Sequence, residues 1–425
     1  MIRYGGAQVY TWENGDTYSG HLVAGGREGW GVVTSPAGGL EMMSGVWGAG
    51  GLEGVARLVR GTVVTETWFR GGCQHGLTRR VEVKKFRQFV QEVSWLGRYR
   101  SGVAWGQCWQ AVEGGGWITG QVDSGGQMTG DNIAFLYPDL TTAILGTFQR
   151  GVLVSGLPGR ITGLVMVEDI AVPQISILSQ SDMVTFSLST EDSVGPQPLI
   201  RDPYEARTVE VRPSQVGGGG EGLFLRRNVK KNEVVAFYNG VRLPPRHGRK
   251  ESWEDSGYKI FTNTEEVWGE RMDLPGDLIN TENYRATLGH KINHNFEYNC
   301  TEWFFQHPRH GLIPCITAVR DIEEGQELFL HYGYDPRNCP PWYQELLAHF
   351  MSINPDLQLE QAADPKRLVG KCQLRNFKIK YTFRKNSRNL LGNVWWTSNS
   401  NVQSSKLKSV MLRGVEMTGE GVIWW

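Results

Sequence analysis

Residues 16–31 read DTYSGHLVAGGREGWG. Within them sits a six-residue frame, Gly-x-(apolar or aromatic)-x-x-Gly, at GHLVAG (20–25), and a further glycine follows at Gly29. Apolar and polar residues alternate between the glycines. Alternation around turn residues reads as a short β-hairpin. Glycine serves where the chain turns with positive φ or where two backbones pack closely.

The frame recurs at GVWGAG (45–50), GRYRSG (97–102), GQVDSG (120–125) and GTFQRG (146–151). ETWFRG (66–71) fits except at its first residue. Each copy has its trailing glycine, at Gly54, Gly76, Gly106, Gly130 and Gly156. VEVKKFRQFVQEVSW (81–95) is charged and free of glycine, and reads as an eroded copy. One hairpin cannot bury its own face, so the units are expected to stack into an elongated sheet. The unit resembles the MORN repeat, a hairpin built around Tyr-x-Gly. The first 160 residues hold 33 of the 54 glycines and half of the 16 tryptophans, which marks them as a region of their own.

The whole chain has 425 residues, room for two or three domains. Its 44 basic and 44 acidic residues balance, but residues 366–413 carry 12 Lys and Arg and no carboxylate. The remainder is therefore acidic, and an acidic body can draw in a basic substrate. The six cysteines form no Cys-x-x-Cys pair, which points to free thiols in a reducing compartment. The start, MIRYGGAQVY, lacks the pattern of a signal peptide, and no run of 18 apolar residues occurs to span a membrane.

Past the repeats, ITGLVMV, ISIL and VTFSL are expected as strands, followed by a loop near 190–200. Four stretches beyond Pro203 carry candidate chemistry. GGGGEGLF (217–224) lets backbone approach a ligand, yet it is no Gly-x-x-x-x-Gly-Lys phosphate loop. VVAFYNGVRL (234–243) reads as a strand over Val234 to Phe237, with Tyr238 at its end. EEGQELFLHYGYD (323–335) reads as a turn into a strand, with Tyr332 and Tyr334 on one face. In LGHKINHNFEYNC (288–300) three readings are open: a metal cluster, a thiol paired with a base, or a polar turn that grips a ligand. His290 and His294 are four apart, but Lys291 stands where a His-Glu-x-x-His helix needs its acid. No protease signature surrounds Cys300.

In this order the four stretches resemble the SET domain of protein lysine methyltransferases. GEGLF matches its strand entry, NHNFEYNC its Asn-His segment, and EEGQELFLHYGY its closing motif. With MORN repeats ahead of it, the chain resembles the MORN–SET (SET seven/nine) type of histone-lysine N-methyltransferase. DPYE (202–205), FYNGVR, LGHK and HPR (307–309) are similar to that family's phrasing. The resemblance implies a mostly β protein: a stacked-hairpin sheet over 16–160, connecting strands and a loop over 161–202, and a knotted multi-sheet SET domain over 203–335. A short cofactor-covering helix over 336–350 and a poorly ordered basic tail over 351–425 complete the expected organisation.

By the same resemblance the cofactor is S-adenosyl-L-methionine and no metal is needed. Gly220, Glu221 and Gly222 wrap its methionine part, Asn293 and His294 hydrogen-bond it, and Trp342 covers the adenine. Tyr332, Tyr238 and Tyr334 line the lysine channel. The implied substrate is a histone tail, at lysine four of histone H3, or another lysine-containing protein, met in the nucleus on chromatin and also in the cytoplasm. A monomer is expected, with a possible nucleic-acid contact through 366–388, where Phe377, Tyr381 and Phe383 interleave with basic residues. Three positions depart from the family. Asn295 replaces a serine, Tyr298 a proline, and Glu302 the channel tyrosine that helps limit transfer to one methyl. Leu346 stands in the register of the family's acidic residue in the final helix, and Glu345 lies one residue off it. Glu302 keeps a second reading alive, a non-catalytic MORN–SET scaffold or binding module with an impaired channel.

Overall fold

A computed structural model describes residues 8–35, 42–86, 89–190, 192–243, 258–261 and 271–355. The expected basic tail, with its nucleic-acid contact at 366–388, lies outside the described residues from 356 onward.

Among the described residues, 14 strands form one antiparallel sheet in strict chain order, from Gln8–Thr11 to Ile170–Ile177. The glycine frame explains it. Ala24 and Gly25 take φ of 51° and 81°, the two positive angles of a type I′ turn, whose twist matches that of the flanking strands. At the other end of the frame the two strands come too close for a side chain. A Cβ on Gly20 would stand 2.4 Å from the Tyr18 hydroxyl and 2.8 Å from the Gly31 Cα. The register shifts between Gly20 and His21, opposite Gly29, so the trailing glycine marks a bulge. The glycine-free copy keeps the pattern: Cys73–Phe86 and Phe89–Arg100 pair without a break from Gly76↔Tyr99 to Phe86↔Phe89.

The sheet extends past the glycine-rich repeats. The strand Val152–Val167 runs across residue 160, and Ile170–Ile177 closes the sheet. VTFSL forms no strand; Val184 bridges back to Gly156, and the Phe186 amide donates to the Leu153 carbonyl at 3.3 Å. Beyond Asp202 the sheets are small. Val209–Pro213 pairs with Glu221–Leu225 across the glycine-rich turn. Val234–Phe237, Gly311–Ala318 and Cys300–His307 form a three-stranded sheet with Gly311–Ala318 central. Asn293–His294 runs parallel to Phe329–Leu330. The chain ends, as described, in the helix Pro341–Ile353, started by a proline in its first turn.

One core joins the two regions. Trp95, Phe135, Tyr137 and Phe148 of the first sheet pack with Tyr204, Phe237, Tyr238, Phe305 and Cys315. Tyr137 stacks on Tyr204 with centroids 5.5 Å apart, and Phe237 lies 4.7 Å from Phe305. The loop between Ala111 and Trp117 also docks on the outer strand of the three-stranded sheet, where the Gln306 amide donates to the Glu113 carbonyl at 2.8 Å.

Candidate active site

The glycine-rich turn is held from below by one carboxylate. Glu327, 3% exposed, accepts the Ser214 hydroxyl at 2.7 Å on Oε1 and the Gln215 amide at 2.8 Å on Oε2. The Asn293 side-chain amide donates to the Glu221 carbonyl at 3.0 Å and reaches Glu327 Oε1 at 3.3 Å. Gly220 takes φ of 60°, which a side chain would resist. Lys291 is buried, and its Nζ meets Glu221 Oε2 at 2.6 Å. Gly220, Glu221, Gly222 and Asn293 thus converge, with Lys291 as a charged neighbour.

His294 sits one residue further, 3% exposed. Burial, with His331 adding to it, pushes its pKa down to about 3, so the ring is neutral. Its Nδ1 lies 3.1 Å from both the Tyr332 amide and the Leu330 carbonyl. The Leu330 carbonyl already accepts the Asn295 amide at 3.0 Å, whereas the Tyr332 N–H can only donate, so we assign Nδ1 as acceptor and place the proton on Nε2. Nε2 is buried without a hydrogen-bond partner among the described residues, and so is the Tyr343 hydroxyl. The two rings are 4.7 Å apart, and the exposed Trp342 ring lies 6.1 Å from His294. Two orphaned buried polar atoms beneath an exposed aromatic lid fit a ligand that is polar at its edge and flat.

The helix that carries Trp342 is seated by Phe296, from the middle of NHNFEYNC. Phe296 stacks on Phe350 at 5.0 Å and meets Tyr343 at 5.2 Å. Asn299 is structural: its amide donates to the Glu327 carbonyl at 2.8 Å, and its Oδ1 accepts the Phe329 amide at 2.8 Å. Cys300 is fully buried and its thiol is pushed far above the usual range by burial, which denies it the thiolate a nucleophile needs.

The tyrosines adjoin this cluster: Tyr332 lies 5.4 Å from His294, and Tyr332 and Tyr334 lie 6.3 and 6.2 Å from Trp342. Tyr332 and Tyr334 lie beyond the short strand Phe329–Leu330, so their pairing does not come from strand alternation; their rings are nonetheless 6.0 Å apart, edge to face. Tyr332 is 39% exposed as a residue, yet its hydroxyl turns inward and donates to the Ile292 carbonyl at 2.6 Å. The Tyr238 hydroxyl donates to the Tyr258 carbonyl at 2.5 Å. Burial raises both phenols, and the charge of Glu302 adds to each. Glu302 is opposite Ile316, which is opposite Ala236, two residues before Tyr238, so Glu302 and Tyr238 share a sheet face.

The sequence names every predicted site residue in these two clusters, but four contributors escaped it. Tyr258 supplies the carbonyl under Tyr238, Glu327 holds the glycine turn, Lys291 pairs with Glu221, and Tyr343 offers an orphaned hydroxyl. Glu327 and Lys291 lie inside the quoted motifs; only their burial reveals a task.

Two family descriptions match the chain. "Histone H3 K4-specific methyltransferase SET7 N-terminal" matches residues 99–169, and "SET domain" matches residues 220–333. "Histone-lysine N-methyltransferase SETD7" from Halocynthia roretzi is 34% identical over 271 residues, covering 61% of this chain and 68% of the relative. The chain belongs to the SETD7-type methyltransferase family. As a member of the SETD7 family it is a protein-lysine N-methyltransferase that uses S-adenosylmethionine. Among solved structures, "ctPRC2 in an autoinhibited conformation bound to S-adenosylmethionine" is similar at 25% identity, with a TM-score of 0.23 over 34% of this chain and 17% of that chain. The "Crystal structure of the Chaetomium Thermophilum polycomb repressive complex 2 (PRC2)" is similar at 25% identity, with a TM-score of 0.22 over 30% of this chain and 16% of that one. Among the described residues no helix is long and apolar enough to cross a membrane.

Proposed function

We propose that the aromatic cluster and the glycine-turn cluster are the two halves of one methyl-transfer site acting on a histone tail. Gly220, Glu221, Gly222, Asn293, His294 and Trp342 hold the cofactor; Tyr238, Tyr332 and Tyr334 line the lysine channel. One observation carries the reading. Two phenols commit their protons to backbone carbonyls, Tyr332 to Ile292 and Tyr238 to Tyr258, which leaves oxygen lone pairs free to accept from an amine.

Bound S-adenosylmethionine supplies an electrophilic methyl on a sulfonium. The chain's task is to present a neutral amine in line with it. Lysine's ordinary pKa is about 10.4, so neutralising it at pH 7 costs about 4.6 kcal/mol. An aromatic channel that excludes water favours the uncharged amine. Neutral phenols then accept its N–H groups and leave the nitrogen lone pair aimed elsewhere, at the methyl. Asn293 holds the glycine turn, and the neutral His294 ring would offer its Nε2–H to the cofactor. Glu302 runs against this chemistry, since a carboxylate near the phenols favours an ammonium. We infer that it alters the number of methyls added.

The relative's name supports a histone substrate, with lysine four of histone H3 as first choice, and so a nuclear, chromatin-bound role. We read residues 203–335 with the helix after them as the catalytic unit and the repeats as its scaffold. Transfer of labelled methyl to histone H3 and to lysine peptides tests this. Tyr332→Phe should lose on the order of 100-fold in kcat while still binding cofactor. Wild-type activity in the variant would remove the channel assignment; wild-type silence on histone H3 would remove the substrate.

A further inference from the structure

The motif DPYE (202–205) is spent neither on cofactor nor on lysine, yet it is wholly buried at its two carboxylates: Asp202 is 0% and Glu205 1% exposed. Glu205 Oε1 accepts two backbone amides, from Phe237 at 2.6 Å and from Leu288 at 3.1 Å. Phe237 precedes Tyr238 on the lysine side. Leu288 opens the turn Gly289–Lys291 that leads to Asn293 and His294 on the cofactor side. The two backbones touch here, for a Cβ on Gly289 would stand 2.6 Å from the Phe237 carbonyl oxygen and 3.2 Å from the Tyr238 Cβ. The Asn239 amide adds a parallel tie, to the Thr287 hydroxyl at 3.1 Å.

Glu205 is itself held in place. Asp202 Oδ1 accepts the amides of Tyr204 and Glu205 at 2.9 and 3.0 Å, at the start of the short helix Glu205–Thr208. Asp202 Oδ2 accepts the Tyr137 hydroxyl from the first sheet and the His307 Nε2–H at 3.0 Å. The tautomer is consistent, because His307 Nδ1 accepts the Arg309 amide at 3.1 Å. Arg309 in turn donates to the carbonyls of Ile200 and Gln197. HPR and DPYE thus form one buried clamp.

We propose that Glu205 is a positioning residue for methyl transfer: its single oxygen Oε1 fixes the separation between the channel strand and the cofactor turn. It touches neither reactant. The inference rests on the site assignments above. An in-line displacement is sensitive to small displacements of the two reactants, so loosening this tie acts on the chemical step more than on either binding step. The tie needs an acceptor and no charge. Both amides fall on Oε1 while Oε2 is buried without a hydrogen-bond partner among the described residues, so a glutamine that keeps its oxygen at Oε1 retains both bonds.

The test uses the full chain with saturating peptide and cofactor. Glu205→Leu should lower kcat per folded molecule by about 10-fold or more, with cofactor Kd moved by less than about 3-fold. Glu205→Gln should stay within about 2-fold of wild type. A folded Glu205→Leu with wild-type kcat overturns the proposal, as does a Gln variant as impaired as the Leu variant. A purely structural role would lower the melting temperature and leave kcat per folded molecule unchanged. If the Leu variant does not fold, hydrogen exchange on the wild type decides. Cofactor should slow the Phe237 and Leu288 amides together; slowing at Leu288 alone overturns the tie. Tyr332→Phe run alongside separates the cases, since full activity there fails the site assignment and not the tie.

Discussion

The N-terminal sheet and the region after Asp202 bury different kinds of polar group. Among the described residues of the sheet, the buried polar side chains are Ser44, Thr67, Thr78, Thr119 and Thr142, all hydroxyls. The later region buries hydroxyls too, at Thr208, Thr287 and Thr317, but adds Asp202, Glu205, Arg271, His290, Lys291, His294, His307, Arg309, His310, Glu327 and His331. A hydroxyl can turn to a neighbouring strand for a partner. A buried carboxylate or imidazole needs partners brought from far along the chain, or it costs several kcal/mol. In the scaffold Thr67 and Thr119 pair with neighbouring strands, whereas Asp202 and Glu327 draw partners from more than 100 residues away.

The largest test of that contrast removes the hub. Asp202→Ala strands the Tyr137 hydroxyl, the His307 N–H and two helix amides at once. It should cost about 3–5 kcal/mol of stability. Thr67→Val in the sheet loses one hydroxyl pair with Thr78 and should cost about 1 kcal/mol. Urea unfolding of both variants checks the pair. Equal losses would break the contrast.

Acid is the next test. His290 and His294 are pushed down to about 3 by burial, and burial also lowers His307 and His310. Unfolding lets these rings take up protons at pH below about 6.5, so their contribution is present above that value and lost as pH falls. Between pH 6.5 and 5 the loss is about 2 kcal/mol for each of His290 and His294. Glu205 acts oppositely, because its folded pKa is raised and acid relieves its penalty. Four rings outweigh one carboxyl. The protein should melt earlier at pH 5 than at pH 7.5. A melting temperature unchanged across that range would count against the buried neutral histidines.

The same contrast sets what the sequence could reveal. The sheet was legible because each turn announces itself within six residues and each strand pairs with the next. Even the glycine-free copy at 81–95 continued its neighbours' pairing. The site residues were legible through short motifs, and the strand Val234–Phe237 lies where its run of apolar residues predicts. What holds the motifs together was not. Asp202 and His307 are 105 residues apart, Ser214 and Glu327 are 113 apart, and no local pattern links them. VTFSL had the composition of a strand but, among the described residues, meets the sheet only through Val184 and the Phe186 amide. The strand expected through Tyr332 and Tyr334 stops at Leu330, where His294 and the helix face take over the packing.

The smallest test works in the opposite direction, by improvement. Ala24 occupies the first central position of a type I′ turn with φ of 51°, a conformation that costs an alanine about 1 kcal/mol. Asparagine tolerates that conformation, and Asn-Gly is the favoured pair for such a turn. Ala24→Asn should therefore raise stability by about 0.5–1 kcal/mol in urea unfolding. It should leave kcat unchanged, because the turn lies in the satellite part of the sheet, whose core of Tyr18, Trp47 and Phe69 is separate from the one shared with Tyr238. A local scaffold can be mended one residue at a time. A rise in stability accompanied by a change in kcat would show that the far hairpins are coupled to the site after all.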